Sequence, residues 1–291
     1  MAKIAIVTDS NSGINQEQSR ELGITVMPMP FFVNEKLHYE DIDLTQEEFY
    51  RLLTDDSISV STSQPSPGDV LALWNKLLKD YDEIVYIPMS SGLSASCSTA
   101  ISLSEDFDGK VQVVNNQRIS VTQYQSVLDA IVLRDAGYDA VGIREVLERE
   151  KMESSIYIMV DSLKYLKKGG RITPAAALIG SVLKLKPVLQ IQGERLDAYA
   201  KARGVKAAKK IMLEAMHNDF SSRFAEYAAA DQMSLYIAYC YGQDEVVKEW
   251  LSEVQASFPG LQVGSGLLSL SVVCHTGPGC LAIACGKKVV P

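Results

Sequence analysis

The sequence predicts an α/β fold with two domains: an N-terminal, largely parallel sheet with helices on both faces, and a C-terminal mixed α/β sheet domain. In the first half, short apolar runs such as 3–8 alternate with helical segments, a pattern typical of parallel sheets with crossover helices. In the second half, apolar runs on both sides of Gly193 indicate a hairpin and therefore antiparallel pairing. We expect the two domains to cover residues 1–154 and 155–291.

Prolines and helix-capping residues support the elements predicted in the N-terminal half. Pro28 and Pro30 keep the extended stretch around them out of a central sheet position. Thr45 and Glu48 form a capping box, and Ser66 is an N-cap followed by proline, so both sites should open helices. The expected elements are strands 3–8, 58–60, 83–88 and 111–114, a hairpin over 31–39, and helices 15–22, 45–53, 66–79, 94–105, 121–136 and 142–151.

The C-terminal half should begin with a strand and a short helix that ends at Gly169-Gly170. The segment 174–183 reads PAAALIGSVL and is apolar nearly all round. Such a helix is either buried in a core or in contact with an apolar ligand. The other expected elements are strands 156–160, 188–191, 196–200, 235–241, 261–263, 272–273 and 281–284, and helices 162–168, 205–220 and 245–258.

Composition excludes several classes of function. The net charge of −8 and the pI of about 5.0 argue against broad electrostatic binding to nucleic acid or to an anionic membrane. The first residues carry no long apolar run, and the longest such run is too short to span a bilayer. Five cysteines without a C-x-x-C pair indicate reduced, mostly buried thiols. We therefore expect a cytoplasmic protein without metal or cofactor, and take a monomer as the default.

Two hydroxyl-rich loops contain the first candidate binding residues, Thr62 and Ser63 in one and Ser94 in the other. Ser94 lies at the start of a predicted helix, where free amides and the helix dipole favour an anion. Gly92 permits close approach of the backbone. Hydroxyl donors at a helix start suit a carboxylate, because charge-assisted hydrogen bonds are the stronger ones. The alternative is that both loops are ordinary helix caps.

Two further side chains are candidates for the same polar group. His275 begins the tight loop HTGPG at 275–279, and it either donates to a carboxylate, holds Ser94 in place or serves only a structural role. Arg171 follows the double glycine of KKGGR at 167–171, from where its guanidinium could bind a carboxylate or a later phosphate in a forked geometry.

Taken together, these motifs resemble the signature blocks of the DegV family. The blocks are TSQPS at 62–66, SSGLS at 90–94, LKYLKKGGRI at 163–172, KARG at 201–204 and HTGPG at 275–279, in the order of the family, and TDS at 8–10 fits as well. They span nearly the whole chain, so the match is far more specific than any one block.

The resemblance implies a two-domain α/β protein that binds a fatty acid and does no covalent chemistry alone. In some members the protein is the acyl-carrying subunit of a bacterial fatty acid kinase. By this resemblance Thr62 and Ser94 bind the carboxylate, His275 and Arg171 complete the polar end, and the tail lies between the domains against 174–191. The basic stretch of Arg203 with Lys201, Lys206, Lys209 and Lys210 is a hypothetical kinase-docking face, or else a solvated helix surface.

Two positions depart from the family pattern. Ala95 stands where the family usually has glycine after the serine, and its Cβ would shift the head group if that glycine let the backbone close on the carboxylate. The block at 114–116 also lacks the usual acidic residue.

Two other functions compete with the carrier. The stretch GLSAS at 92–96 is close to the G-x-S-x-G nucleophile elbow, and Asp161 and His275 follow Ser94 in hydrolase order, so a serine esterase is the main alternative. Ser96 replaces its last glycine and no HGGG-type loop occurs. The third possibility is a binding module for another small acid.

Overall fold

Three β-sheets organise the part of the chain that the structure, a computed structural model, describes: residues 2–40, 42–173 and 185–290. The first half contains a four-stranded sheet and a three-stranded sheet, and the second half a six-stranded sheet. The strands are β1 (Ile4–Asp9), β2 (Thr25–Met27), β3 (Pro30–Val33), β4 (Lys36–Tyr39), β5 (Val60–Thr62), β6 (Glu83–Ile87), β7 (Val111–Val113), β8 (Ser154–Met159), β9 (Leu185–Ile191), β10 (Leu196–Arg203), β11 (Met233–Tyr239), β12 (Val263–Leu267) and β13 (Leu281–Lys287).

The helices connect and cover these sheets. The longer ones coincide closely with the expected segments, and Thr45 with Glu48 forms the expected capping box. The helices described are Gln16–Glu21, Gln46–Leu53, Pro67–Leu77, Ser96–Ser104, Val121–Asp135, Ala140–Arg149, Lys164–Gly169, Val205–Ser221, Ala225–Ala229, Asp244–Ser257 and Leu270–Thr276, with 3₁₀ turns at Ser10–Ser12 and Glu105–Phe107. The expected helix at 174–183 lies outside the described residues.

The N-terminal sheet is entirely parallel, in the order β2-β1-β6-β7. Side chains alternate along a strand, so Ile4 and Ile6 of β1 pack against the helices Val121–Asp135 and Ala140–Arg149. Val7 points to the other face, where Trp74 is buried. Both faces of this sheet are therefore covered by helices, as predicted.

The three-stranded sheet differs from the expectation for the first half. β3 and β4 form the predicted hairpin, and β5 pairs antiparallel with β3, with Thr62 opposite Phe31. The residues of 61–66 therefore extend from a small antiparallel sheet and not from the carboxyl edge of the parallel sheet. The reason is the proline-interrupted stretch after β2, which leaves the parallel sheet and pairs locally.

The C-terminal sheet is mixed, in the order β10-β9-β8-β13-β11-β12, with β11 and β12 parallel and the other pairs antiparallel. The hairpin around Gly193 is confirmed by the β9–β10 pairing. The strand expected at 272–273 is wrong, because these residues lie in the helix Leu270–Thr276 with Ser269 as its N-cap. The sheet begins at Ser154; the domain boundary between 154 and 155 stays a prediction.

The two faces of the C-terminal sheet bury different partners. One face packs on the helices Val205–Ser221 and Asp244–Ser257, which bury Met212 and Trp250. The other face packs on the N-terminal half, where Phe31 and Met89 share a core with Ile158. This shared core lies between the two halves and surrounds the cavity described next. Within the described residues, no helix has the length and apolar character needed to cross a membrane.

Candidate functional site

A cavity lies in the core between the two halves. The space between protein atoms is about 900 Å³, including the solvent at its opening. The expected site residues Thr62, Ser63, Ser94, Arg171 and His275 all line this cavity. Most other lining side chains are apolar, and they include Leu93, Ile119, Ile156, Ile158, Leu166, Ile191, Leu196, Ala238, Leu268 and Ala282.

Thr62 and His275 meet at the wall of this cavity. Thr62 ends β5, and His275 lies in the last turn of the helix Leu270–Thr276. Thr62 Oγ1 and His275 Nε2 are 2.8 Å apart, within hydrogen-bonding distance. The sequence left open whether His275 would hold Ser94; the structure shows that it is paired with Thr62.

The imidazole of His275 is neutral at pH 7. Burial lowers its pKa to about 4, and the charge of Arg171 adds to this effect. Nδ1 is buried and has no hydrogen-bond partner. The ring packs against Gly169, where a Cβ would lie 2.1 Å from Nδ1. Gly169 therefore gives the imidazole room, and the geometry aims Nε2 at Thr62.

Ser94 is placed by a tight loop after β6. Its backbone N–H donates to Ser90 O (3.2 Å), and its Oγ accepts from Ser96 N (3.2 Å). The helix begins at Ser96 with Ala95 as N-cap, so Ser94 lies just before the helix and not at its first residue. Because Oγ accepts the amide, the hydroxyl hydrogen can donate to a ligand.

Arg171 reaches across to the same loop. Its Nε donates to Leu93 O (3.4 Å), and its Nη1 donates to Gly169 O. The side chain is exposed to solvent while it lines the cavity. A guanidinium has five N–H donors, so donors remain for an anion at the cavity mouth.

Gly92 is not among the residues that line the cavity, and its role as a ligand-binding residue stays a prediction. A Cβ at Gly92 would lie 2.5 Å from both Cβ and O of Glu194 in the β9–β10 turn. Ser90 Oγ donates to the same carbonyl, Glu194 O, at 2.9 Å. The glycine therefore lets the Ser94 loop dock on the C-terminal hairpin.

The alanine that replaces the family glycine fits its position without strain. Ala95 has φ −71° and ψ −6°, a right-handed conformation open to any residue. Its side chain is exposed and is not part of the cavity lining. The added Cβ therefore does not enter the cavity.

Some residues of the cavity wall were missed by sequence reasoning. Asn11 lines the cavity and is held by the buried Asp9, whose Oδ1 accepts from Asn11 N, Asn11 Nδ2 and Gln123 Nε2 at 3.0 Å. Asp9 Oδ2 accepts from Met89 N at 2.8 Å. Ser120, another lining residue, has φ 54° and ψ −136°, which is rare for a residue other than glycine. The TDS block pointed to Asp9, but nothing in the sequence singled out Ser120.

The hydrogen bonds of a serine-esterase triad are not formed. His275 Nε2 is bonded to Thr62 rather than to Ser94, and His275 Nδ1 lacks a carboxylate partner. Asp161 is ion-paired with Lys186 Nζ at 2.7 Å. A triad needs a base that contacts both the nucleophile and an orienting acid, so this arrangement does not suit a hydrolase.

The basic stretch near Arg203 is smaller than expected. Lys201, Arg203, Lys206 and Lys210 are exposed. Lys209, however, is 6% exposed, and its Nζ bonds to Glu249 (3.1 Å) and Glu253 (3.2 Å). Lys209 belongs to the contact between two helices and not to an open basic face.

Comparison with known proteins agrees with this architecture. Residues 3–288 match the model of the DegV family. The chain belongs to the DegV family. A DegV domain-containing protein of Listeria monocytogenes is 29% identical over 289 residues, 98% of this chain and 99% of the relative. Protein DegV of Bacillus subtilis is 28% identical over 282 residues, covering 96% and 98%.

Solved structures of the DegV family share the fold. A fatty-acid-binding DegV family protein from Thermus thermophilus superposes with a TM-score of 0.87 at 28% identity, covering 98% of this chain and 99% of its own. DegV of Bacillus subtilis, described as a fatty acid binding protein, gives a TM-score of 0.83 at 27% identity, covering 99% and 100%. The predicted family and the two-domain α/β fold are thus confirmed.

Proposed function

We propose that this chain binds one long-chain fatty acid, with its carboxylate at Thr62, Ser94 and His275 and its acyl tail in the apolar cavity. The observation that carries the proposal is the Thr62–His275 hydrogen bond of 2.8 Å on the wall of a largely apolar cavity. This hydrogen bond orients the Thr62 hydroxyl as a donor at the cavity wall, where a buried carboxylate would need a hydrogen-bond partner.

The protonation state of His275 supports this role. A neutral imidazole has one N–H, and placing it on Nε2 lets His275 donate to Thr62 Oγ1. Thr62 then directs its own hydroxyl hydrogen at the carboxylate. Ser94 supplies a second hydroxyl donor, and Arg171 supplies positive charge at the mouth. Together these groups satisfy both oxygens of one carboxylate.

The apolar lining suits the acyl chain. Burying methylene groups contributes about 0.8 kcal/mol each, so a sixteen-carbon tail offers up to about 12 kcal/mol. Lost translational freedom and ordering of the tail offset several kcal/mol of this. Ile158, Ile191, Leu196 and Ala282 form part of this surface. The segment 174–184, also expected along the tail, lies outside the described residues.

Two solved relatives above 25% identity support the same ligand class. The Thermus thermophilus and Bacillus subtilis proteins are both described as binding fatty acid. Both cover nearly the whole of this chain. A carrier that needs no metal or cofactor of its own accounts for these similarities and for the unformed hydrolase triad.

We further infer that the protein presents its fatty acid to a partner kinase, which phosphorylates the carboxylate. Arg171 is exposed at the cavity mouth, where its guanidinium could also contact the new phosphate. An exposed basic surface could contact the kinase, although the whole chain has a net charge of −8. It consists of Lys201, Arg203, Lys206 and Lys210. In this proposal the protein is a cytoplasmic carrier that neither binds nucleic acid nor inserts stably in a membrane.

Native mass spectrometry of the purified protein tests the ligand directly. The expected result is a complex with one fatty acid of fourteen to eighteen carbons, and the mass of the free chain after delipidation. Added palmitate should restore the complex, whereas a short acid such as acetate should not. A protein that stays empty with palmitate, or that carries a polar ligand, overturns the proposal. Labelling of Ser94 by a fluorophosphonate would favour an esterase instead.

A further inference from the structure

Cys240 and Cys280 form a close pair behind the cavity wall. They follow β11 and precede β13, two antiparallel strands in which Tyr239 faces Leu281. Continuing this register by one residue places Cys240 opposite Cys280. Their Sγ atoms are 2.9 Å apart, and both residues are fully buried.

This geometry suits a disulfide bond. Directly opposite residues of antiparallel strands have Cα atoms about 4.5–5.5 Å apart. A disulfide spans Cα separations of about 4.4–6.8 Å and has an S–S length of about 2.05 Å. Closing the bond between Cys240 and Cys280 therefore requires a small movement of two side chains and no rearrangement of β11 or β13.

The surroundings of Cys240 favour its thiolate. Cys240 Sγ and Cys280 Sγ share a hydrogen bond in which either thiol can be the donor, and the Cys240 thiol can also donate to Gly277 O at 3.5 Å. The Tyr50 hydroxyl and the N–H groups of Gly279 and Cys280 add further hydrogen bonds to Cys240. These contacts, led by the Cys280 thiol, lower the pKa of Cys240, while the same pairing raises the pKa of Cys280. A lowered thiol pKa increases the fraction of thiolate, which is the form that attacks an oxidant once the oxidant reaches the sulfur.

The other cysteines lack these contacts. Burial raises the pKa of Cys97 to about 12, and burial likewise raises the pKa of Cys274 and of Cys285. All five cysteines lie in the described part of the chain and are free thiols. A small oxidant should therefore select Cys240.

We propose that Cys240 and Cys280 are a redox-active dithiol, which hydrogen peroxide converts into an intramolecular disulfide. The Cys240 thiolate attacks one peroxide oxygen, the O–O bond breaks, and the departing hydroxide takes up a proton to leave as water, giving a sulfenic acid. The Cys280 sulfur then loses its proton and attacks Cys240 Sγ, and the hydroxyl leaves as a second water. Two thiols are oxidised to one disulfide, and one peroxide is reduced to two waters.

The Tyr50 hydroxyl, which contacts Cys240, connects the buried pair to a partly exposed side chain. The Tyr50 hydroxyl accepts from Tyr241 N at 3.1 Å, and the two rings lie 5.9 Å apart. Tyr241 is 42% exposed. We expect peroxide to reach the buried pair when this ring contact opens locally, whereas a bulky aromatic disulfide reagent should be excluded from the folded protein.

Thiol counting and peptide mapping of the wild-type chain test this proposal. Reduced protein is treated with hydrogen peroxide, quenched, unfolded and alkylated. The expected result is the loss of two of the five free thiols, a mass lower by two hydrogens, and a cross-linked pair of peptides that contain Cys240 and Cys280. Dithiothreitol should restore all five thiols. Retention of five thiols, or a cross-link through Cys97, Cys274 or Cys285, overturns the proposal.

Two variants test which cysteine reacts with peroxide and which one resolves the sulfenic acid. Cys280→Ser removes the resolving thiol, so peroxide should stop at a Cys240 sulfenic acid that dimedone traps. Cys274→Ser is the matched control, because Cys274 is close in sequence but outside the pair, and it should still lose two thiols. A sulfenic acid at Cys274 in the first variant, or no disulfide in the second, contradicts the assignment.

Discussion

Thr62 Oγ1 and His275 Nε2 are joined across 213 positions of sequence by a hydrogen bond of 2.8 Å. One atom comes from a small antiparallel sheet of the N-terminal half and the other from a helix of the C-terminal half. The bond therefore links the two halves at the cavity wall.

Replacing Thr62 by valine should weaken fatty-acid binding about 10- to 100-fold. Valine preserves the shape of the side chain but removes the donor to the carboxylate, and hydrogen bonds to charged groups contribute about 1.5–3 kcal/mol. It also removes the hydrogen-bond partner of His275 Nε2. Displacement of a fluorescent fatty acid measures the affinity.

Ser61→Ala is the matched control for Thr62→Val. Ser61 is the neighbouring residue of β5, is exposed and does not line the cavity. Its substitution should leave the affinity unchanged. Equal binding by Thr62→Val and wild type would remove Thr62 from the carboxylate site.

Replacing Ser94 by alanine should lower both fatty-acid affinity and acyl-phosphate formation with a partner kinase, each by about 10-fold or more. In the proposed function the lost hydroxyl is a donor to the carboxylate, whereas its acceptor contact to Ser96 N is a single part-buried hydrogen bond within the loop. The fold should therefore persist. Ser98→Ala, on the exposed side of the helix that follows, should behave as wild type. Unchanged turnover in Ser94→Ala would exclude Ser94 from the site.

The ligand-free protein should lose stability as the pH falls from about 6.5 towards 4. His275 in the unfolded chain takes up a proton below its ordinary pKa of 6.5, whereas burial lowers the pKa of the folded residue to about 4. Between these values the unfolded state binds more protons, so acid favours unfolding. The contribution of His275 to this loss should reach about 2 kcal/mol at pH 5.

Urea unfolding at pH 7 and pH 5 measures this effect. His275→Gln keeps a hydrogen-bonding side chain opposite Thr62 but does not titrate, so its stability should fall less between the two pH values than that of wild type. Parallel pH dependence of the two proteins would show that His275 is not buried in its neutral form.

Replacing Asp9 by asparagine should destabilise the fold by about 2–3 kcal/mol. Burial raises the pKa of Asp9, yet four N–H donors converge on its carboxylate. An asparagine has one acceptor oxygen, and its NH₂ would face a donor, so buried N–H groups would lose their partners. Asp56→Asn, at an exposed ion pair with Lys164, should change the free energy of unfolding by less than about 1 kcal/mol. Similar unfolding midpoints for both variants would contradict the prediction.

The sequence predicted local structure better than the contacts between distant segments. The helix starts at Thr45 and Ser66 could be predicted, because an N-cap hydrogen bond forms within a single turn of the chain. His275 was placed in a loop between strands, because its helix is short and rich in β-branched residues, which favour strands in isolation. Burial against the rest of the core overrides that preference. The pairing of His275 with Thr62, rather than Ser94, depends on the relative position of the two halves, which no local pattern encodes.

Replacing Gly92 by alanine should destabilise the protein by about 1–3 kcal/mol and weaken fatty-acid binding. The added Cβ would lie 2.5 Å from Cβ and O of Glu194, so the loop or the β9–β10 turn must move. Gly92 is two residues from Ser94, and Ser90 donates to the same Glu194 carbonyl, so this movement should displace the Ser94 hydroxyl. Chemical unfolding and fatty-acid displacement measure the two effects.

The matched control for Gly92→Ala is Gly68→Ala. A Cβ at Gly68 would meet only Ser66 Oγ, at 3.8 Å, and Gly68 lies in the first turn of the helix Pro67–Leu77. Because alanine has a higher helix propensity than glycine, Gly68→Ala should keep or slightly raise stability. If Gly92→Ala is as stable as Gly68→Ala and retains full affinity, the docking of the Ser94 loop on the hairpin does not position the serine.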